Sequence, residues 1–300
     1  MNVSELTLGT WAMGGLGWGE IERNQAITAI QVMLDHGVNF IDTAIGYGNA
    51  EEIVGEAIKG RREKVFITTK CGVIRNMNHP VHDGSRENVI AQCEESLQHL
   101  ETDYIDLYLV HWPDNNTPLS ETMEAMRELK QSGKIRYVGV SNFSLEQIFE
   151  ADQILSIDAF QPEFSMVNRA QEHLTQWVHD HHIGIMSYGS LGGGILSGAF
   201  RKLPQFNKND MRYIFYDSFI EPKFSKVMEL LKTLDKIAAA HNGSVSQVAI
   251  NWNTQKEFID TTIVGVRDYD HAIQNCMGMS WCLTDAEIVE IDSAIGRILG

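Results

Sequence analysis

Cysteine is scarce: the 300 residues contain four, Cys71, Cys93, Cys276 and Cys282, and none sits in a CxxC pair. A disulfide scaffold needs denser spacing, and structural zinc sites use tighter ligand pairs than Cys276 and Cys282 with a distant His, so reduced thiols are expected. Long apolar runs are also missing. No stretch approaches the roughly 20 residues of a membrane span, and the opening MNVSELTLG has neither the basic nor the apolar region of a signal peptide. Cationic charge is in deficit, with 24 Lys and Arg against 40 Asp and Glu and a formal charge of -16. Such a surface repels phosphate backbones and anionic lipid. The expectation is a cytoplasmic protein that binds neither nucleic acid nor membrane.

Several catalytic motifs fail residue by residue. A nucleophile elbow, G-x-S-x-G, breaks at Phe143 in GVSNF and at Tyr188 in YGSLG. A P-loop is absent, because Gly133-Lys134 leads to Ile135. The run GSLGGGILSG has Ser197 where a dinucleotide fingerprint needs its last Gly. The cluster His179, Asp180, His181, His182 closes a helical pattern before Gly184, where cationic side chains suit a helix C-terminus, and no metal site is expected there. No Pro/Gly/Ser linker divides the chain, so residues 1–300 read as one domain.

What is present is an alternation of short β-rich runs with longer amphipathic segments, the signature of βαβ units. Strands are predicted at Leu6–Trp11, Asn39–Thr43, Val65–Thr69, Tyr104–Val110, Ile135–Val140, Ala159–Gln161, Gly184–Tyr188 and Thr261–Val264. Helices are predicted at Asn24–His36, Ala50–Lys59, Arg86–Leu100, Leu119–Gln131, Leu145–Leu155, Gln171–His182, Lys226–His241 and Val245–Gln255. The pairs His36-Gly37, Lys59-Gly60 and Ser132-Gly133 place Gly where a helix C-cap wants a left-handed residue. Eight strands each followed by a helix fit an α/β fold of the closed (β/α)8 TIM barrel type. Two additions stand out: a long aromatic connection after the seventh strand, Gly189 to Lys223, and an extra C-terminal helix, Asp285–Ile298.

In such barrels chemistry sits where strands end. Asp42 ends FIDTA, with Tyr47 five residues on, Lys70 ends VFITTK and His111 ends LYLVHW. Each alone suits a turn residue, a solvated charge or a structural histidine. Together they form an acid/base constellation that packing does not require.

These segments resemble the aldo-keto reductase superfamily over essentially the whole chain. The carriers are FIDTAIGYGNAEEIVGEAI, FITTKCG, YIDLYLVHWPD, IRYVGVSNFS, AFQPEFSMVNR and GIMSYGSLGGGILSG, six regions in barrel order. The resemblance implies hydride transfer between a nicotinamide cofactor and an aldehyde, ketone or sugar carbonyl. It implies Tyr47 as general acid, Lys70 as the positive field that stabilises its phenolate, Asp42 as the partner fixing Lys70, and His111 orienting the substrate oxygen. Ser141, Asn142 and Gln161 would meet the nicotinamide carboxamide, Tyr188 would stack on the ring, and Gly189, Ser190, Leu191 and Gly193 would cover the pyrophosphate. Without the resemblance, the Gly run reads equally well as a lid hinge. Trp18, Ile45 and Trp112 are candidate substrate-pocket walls.

The last signature departs from the family. Gly265 replaces a Lys that phosphate-binding members often carry, while Arg267 and His271 remain as partners for a 2'-phosphate. Gln274 and Asn275 fall where the family contacts adenine, and Asp268 and Asp270 oppose an anion. NADP is the expected cofactor and NAD the alternative. A second class follows from the same resemblance, a cofactor-binding regulatory subunit like the potassium-channel β subunits, but no partner-specific tail is visible here. A small-molecule carbonyl substrate is the expected partner.

Overall fold

A computed structural model describes residues 1–15, 17–19, 21–74, 81–208 and 210–300. Eight parallel strands close on themselves: β1 (Leu6–Gly9), β2 (Phe40–Asp42), β3 (Phe66–Cys71), β4 (Ile105–Val110), β5 (Ile135–Ser141), β6 (Ala159–Gln161), β7 (Gly184–Ser187) and β8 (Thr261–Gly265). Each pairs with its neighbours in sequence, and closure comes from β1 on β8, Leu6 opposite Thr262 through Gly9 opposite Gly265. This is the expected (β/α)8 barrel. Its interior is filled by Phe40, Leu107, Leu109, Ala159, Met186 and Ile263. Alternate strand residues face outward into a larger apolar layer beneath the helices, so the strands are buried on both faces except at ends such as Arg136 and Gly265.

The helices are α1 (Arg23–Asp35), α2 (Ala50–Ala57), α3 (Arg86–His99), α4 (Leu119–Gln131), α5 (Leu145–Ile154), α6 (Glu172–Asp180), α7 (Met211–Phe215), α8 (Lys223–Ala240), α9 (Val245–Thr254), α10 (Tyr269–Gly278) and α11 (Asp285–Ile298). Ser144, Ser244 and Thr284 form capping boxes with Gln147, Gln247 and Glu287, satisfying amides that a helix start leaves open. Among the described residues no helix is long and apolar enough to cross a membrane.

Two boundaries are corrected and two elements are added. The first strand stops at Gly9 and Trp11–Gly14 form a 3₁₀ turn, because the Thr10 amide and hydroxyl both donate to the Asp42 carbonyl and bend the chain across the barrel mouth. The helix read from Lys226 begins at Lys223. A short antiparallel ribbon, Val73–Ile74 with Val81–His82, follows β3. A full helix, α10, follows β8, started by the Asp268 side chain accepting from the His271 amide.

Candidate active site

All four constellation residues stand at the C-terminal mouth of the barrel. Asp42 ends β2, Lys70 is the penultimate residue of β3, His111 directly follows β4 and Tyr47 lies in the loop after β2. Register places Asp42 opposite Thr68 and Lys70 opposite Leu109 on adjoining staves. Lys70 is fully buried, and its Nζ donates to Asp42 Oδ1 at 2.9 Å, to Asp42 Oδ2 at 2.7 Å and to the Thr43 carbonyl at 2.8 Å. The same nitrogen reaches the Tyr47 hydroxyl at 3.4 Å. The His111 ring meets the Tyr47 ring edge-on, with centroids 5.6 Å apart. Gly14 fixes the tyrosine from above: a Cβ there would lie 1.5 Å from the Tyr47 carbonyl oxygen, so only glycine fits.

Burial governs the electrostatics. It raises the Asp42 carboxyl and lowers the Lys70 ammonium, opposed in both cases by their mutual attraction. Burial, followed by the charge of Asp42, pushes the Tyr47 phenol well above its ordinary value. Burial and then the Lys70 charge push His111 well below 6.5, so its imidazole is neutral. The expected positive field of Lys70 on Tyr47 is thus offset by Asp42, and the resting phenol is held firmly protonated.

The residues expected around a cofactor are wired into this cluster. Asn142, in a left-handed conformation (φ 61°), donates from Nδ2 to the His111 carbonyl at 3.0 Å and to Ser141 Oγ at 3.0 Å. Its Oδ1 accepts from the Tyr188 hydroxyl at 2.8 Å. Ser141 Oγ donates to the Gln161 carbonyl at 2.9 Å, and Gln161 Nε2 donates to Asp42 Oδ2 at 2.8 Å. Gln161 Oε1 makes no hydrogen bond among the described residues and is the open face of that side chain.

Beyond β7 the amides of Gly189, Ser190 and Leu191 have no acceptor among the described residues. A row of free N–H groups in a tight turn is a cradle for an anion such as a pyrophosphate. The Ser190 hydroxyl is not part of that cradle, since it donates to the Ile263 carbonyl at 2.7 Å. Gly193 is not open either: at φ 68°, its would-be Cβ lies 2.6 Å from the Tyr216 ring. Gly265 is open, with nothing within 4 Å of a Cβ built there. Arg267 is half-buried and its Nη2 comes within 3.5 Å of a Cβ built on Gly19. His271 is less available than expected, because Asp268 Oδ2 holds its ring nitrogen at 3.1 Å. Gln274 accepts from Gln247 and Asn275 donates to the Gly265 carbonyl, which anchors α10.

Aromatic rings wall the mouth. Trp18 meets Trp11 edge-on at 5.0 Å, Trp112 stacks on His82 at 5.9 Å, and Ile45 is half-buried in the loop carrying Tyr47. Sequence reasoning missed Trp11, which stacks on Tyr47 at 5.9 Å and meets Phe215, from the aromatic connection after the seventh strand, at 5.1 Å. The available signal was position just past a strand, the criterion that found the other four, but the first strand was drawn too long. The connection after β7 is packed down as a strap. Phe200, Phe206 and Phe219 make edge contacts at 5.3–5.5 Å, and the Met211 amide donates to the Gly17 carbonyl at 3.1 Å.

A barrel whose mouth joins a buried Lys–Asp pair to a phenol and an imidazole, beside an amide cradle, defines a class, and the comparisons place the chain within it. Residues 5–295 match the model of the Aldo/keto reductase family, and the chain belongs to that family. It is 38% identical over 274 residues to "Aldo-keto reductase YhdN" of Bacillus subtilis, covering 89% of this chain and 82% of that one. It is 30% identical over 308 residues to the "NADH-specific methylglyoxal reductase" of Escherichia coli, covering 96% and 93%. Its fold resembles the glycerol dehydrogenase AKR11B4 from Gluconobacter oxydans with a TM-score of 0.88 at 31% identity, over 99% of this chain and 93% of that one.

Proposed function

We propose that the chain, acting as one domain over residues 1–300 in the cytoplasm, reduces small neutral aldehydes, ketones or sugar carbonyls with a nicotinamide cofactor, preferentially NADPH. What carries this reading is Lys70 Nζ, locked by both oxygens of Asp42 yet in reach of the Tyr47 hydroxyl at 3.4 Å.

The bound cofactor would supply hydride, the chemistry the side chains lack. As hydride arrives at a carbonyl carbon, charge develops on oxygen, and Tyr47, protonated at rest, gives its proton there. The phenolate left behind faces Lys70, whose ammonium is held in place by Asp42 and the Thr43 carbonyl. Neutral His111 aligns the substrate oxygen by a hydrogen bond, and Trp18, Ile45 and Trp112 shape the space around the remaining substrate. Trp18, Ile45 and Trp112 themselves carry no charge, which suits a neutral substrate.

The groups present fit the cofactor. Gln161 Oε1, Asn142 and Ser141 would meet the carboxamide, the face of Tyr188 the ring, and the Gly189–Ser190–Leu191 amides the pyrophosphate. The 2'-phosphate would lie over Gly265 against the five-donor fork of Arg267, with His271 secondary because Asp268 holds it. Gln274 and Asn275 border the adenine side.

The test is a panel of aldehydes, ketones and aldoses with cofactor oxidation followed optically, run on parent and Tyr47→Phe. The variant should lose at least about 100-fold in turnover while its cofactor Kd changes less than about twofold. A rate within about threefold of the parent refutes Tyr47 as the acid.

A further inference from the structure

Glu163 is a carboxylate that none of the roles above employs, and its placement gives it one. It follows β6 and pairs with Tyr188 in a parallel bridge, with the Tyr188 amide donating to the Pro162 carbonyl at 2.9 Å and the Phe164 amide to the Tyr188 carbonyl at 3.0 Å. Its side chain runs alongside Gly189: a Cβ there would lie 3.1 Å from Glu163 Cγ and 3.4 Å from Oε1. The carboxylate is half-buried beside the Asn168 side chain, which favours its charged form, but it makes no ion pair among the described residues. The cation it feels, Lys223, is held by Asp217 at 2.8 Å. Across the mouth, Asp42 offsets Lys70. Burial raises the Glu163 carboxyl above its ordinary value and the Asn168 side chain opposes this. Glu163 is thus a carboxylate beside Tyr188 that no cation of the described residues pairs, and its charge adds to the larger effect of burial in raising the phenols of Tyr188 and Tyr216.

We propose that Glu163 sets the redox preference of the site, favouring the oxidised nicotinamide, which is a cation, over the neutral reduced ring. The proposal rests on the reading of Tyr188 as the platform for that ring. A carboxylate attracts only the form that carries positive charge, and in a partly desolvated site the attraction is not fully screened. Tighter holding of the oxidised form tilts the equilibrium on the protein toward reduction of the carbonyl.

The experiment measures Kd for NADP+ and NADPH, with NAD+ and NADH alongside, by tryptophan fluorescence in the parent and in Glu163→Gln. Gln keeps the shape and the Asn168 contact, and denaturant unfolding run in parallel reports whether the fold is intact. Affinity for the oxidised form should fall about five- to tenfold while the reduced form stays within about twofold. An equal loss for both forms overturns the proposal in favour of a structural role, and no loss shows that the charge is not felt. A parent that binds no dinucleotide overturns the cofactor reading itself, and with it this proposal, whereas unselective loss in the variant overturns this proposal alone.

Discussion

Replacing Asp42 by Asn isolates the energetics of the buried pair. Asp42 is 4% exposed and Lys70 0%, and the carboxylate accepts three hydrogen bonds, two from Lys70 Nζ and one from Gln161 Nε2. Asparagine offers one oxygen for those three donors and turns its own NH2 toward another donor. The ammonium is then left buried without a counter-charge, a loss that costs about 3–5 kcal/mol when one partner of a buried pair is removed. Adding Lys70→Met removes the stranded charge and fills the volume of its stem. Replacing both members of a buried pair with neutral groups is commonly neutral or stabilising, so the double variant should recover at least about half of the loss. Urea unfolding followed by tryptophan fluorescence measures all three proteins, with an unchanged m-value confirming that the transitions are comparable. Turnover should fall at least about 100-fold in both variants, because Tyr47 has lost its anchored cation. A double variant as unstable as Asp42→Asn refutes the reasoning, since the cost would then lie in shape and not in charge.

Three further outcomes follow from single positions. Arg267→Ala should weaken NADPH binding by about 1.5–3 kcal/mol and leave NADH nearly unchanged; comparable losses for the two show that Arg267 holds the turn and does not read the phosphate. Because burial holds folded His111 neutral well below 6.5 while an unfolded histidine protonates near 6.5, the unfolded chain binds more protons as pH falls. The parent should lose about 1 kcal/mol relative to His111→Gln between pH 6.5 and 5.5, and parallel urea midpoints would contradict this. Gly193→Ala drives a methyl to 2.6 Å from the Tyr216 ring at a left-handed φ of 68°, so proteolysis between residues 200 and 216 should accelerate. In the parent the strap is already packed, and its cleavage rate should change less than about twofold on adding cofactor; strong protection by cofactor would favour a lid that closes.

The barrel was legible because its strands are apolar on both faces and its helices end at glycine, signals carried by neighbouring residues. The mouth residues were legible for a related reason: Asp42, Lys70 and His111 are polar at or just past the end of an apolar strand, and Tyr47 follows Asp42 by five residues. What escaped depends on contacts distant in sequence. Gln161 and Asp42 lie 119 residues apart, and nothing local shows that they share a hydrogen bond. The ribbon after β3 has two residues per strand, too few for a period. Trp11 sits in a run that reads as strand, and only the Thr10 bonds to the Asp42 carbonyl turn it over the mouth. The start of α10 is marked only by Asp268, whose side chain accepts from the His271 amide, and a lone Asp after a strand suits a turn as well as a helix cap.

The two ends of the barrel show why the polar cluster at the mouth points to chemistry and not to stability. At the N-terminal end Asp106, 1% exposed, accepts from Arg62 Nη2 at 2.7 Å, from Arg136 Nη1 at 3.0 Å and from the Ile67 amide at 3.0 Å. The two guanidinium groups enclose the Tyr104 ring at 3.9 and 3.7 Å. That carboxylate is matched by three donors of its own chain and needs no ligand. At the C-terminal end the Lys–Asp pair is equally well matched, yet it is surrounded by groups without matches: the Gly189, Ser190 and Leu191 amides and Gln161 Oε1. Folding makes no use of these groups: no partner within the described residues takes up their hydrogen-bonding capacity. A cluster that is satisfied throughout serves stability. One that is satisfied at its centre and open along one rim is built to complete itself on something that arrives, and at this mouth the open rim runs from the amide cradle past Tyr188 to the Tyr47 hydroxyl.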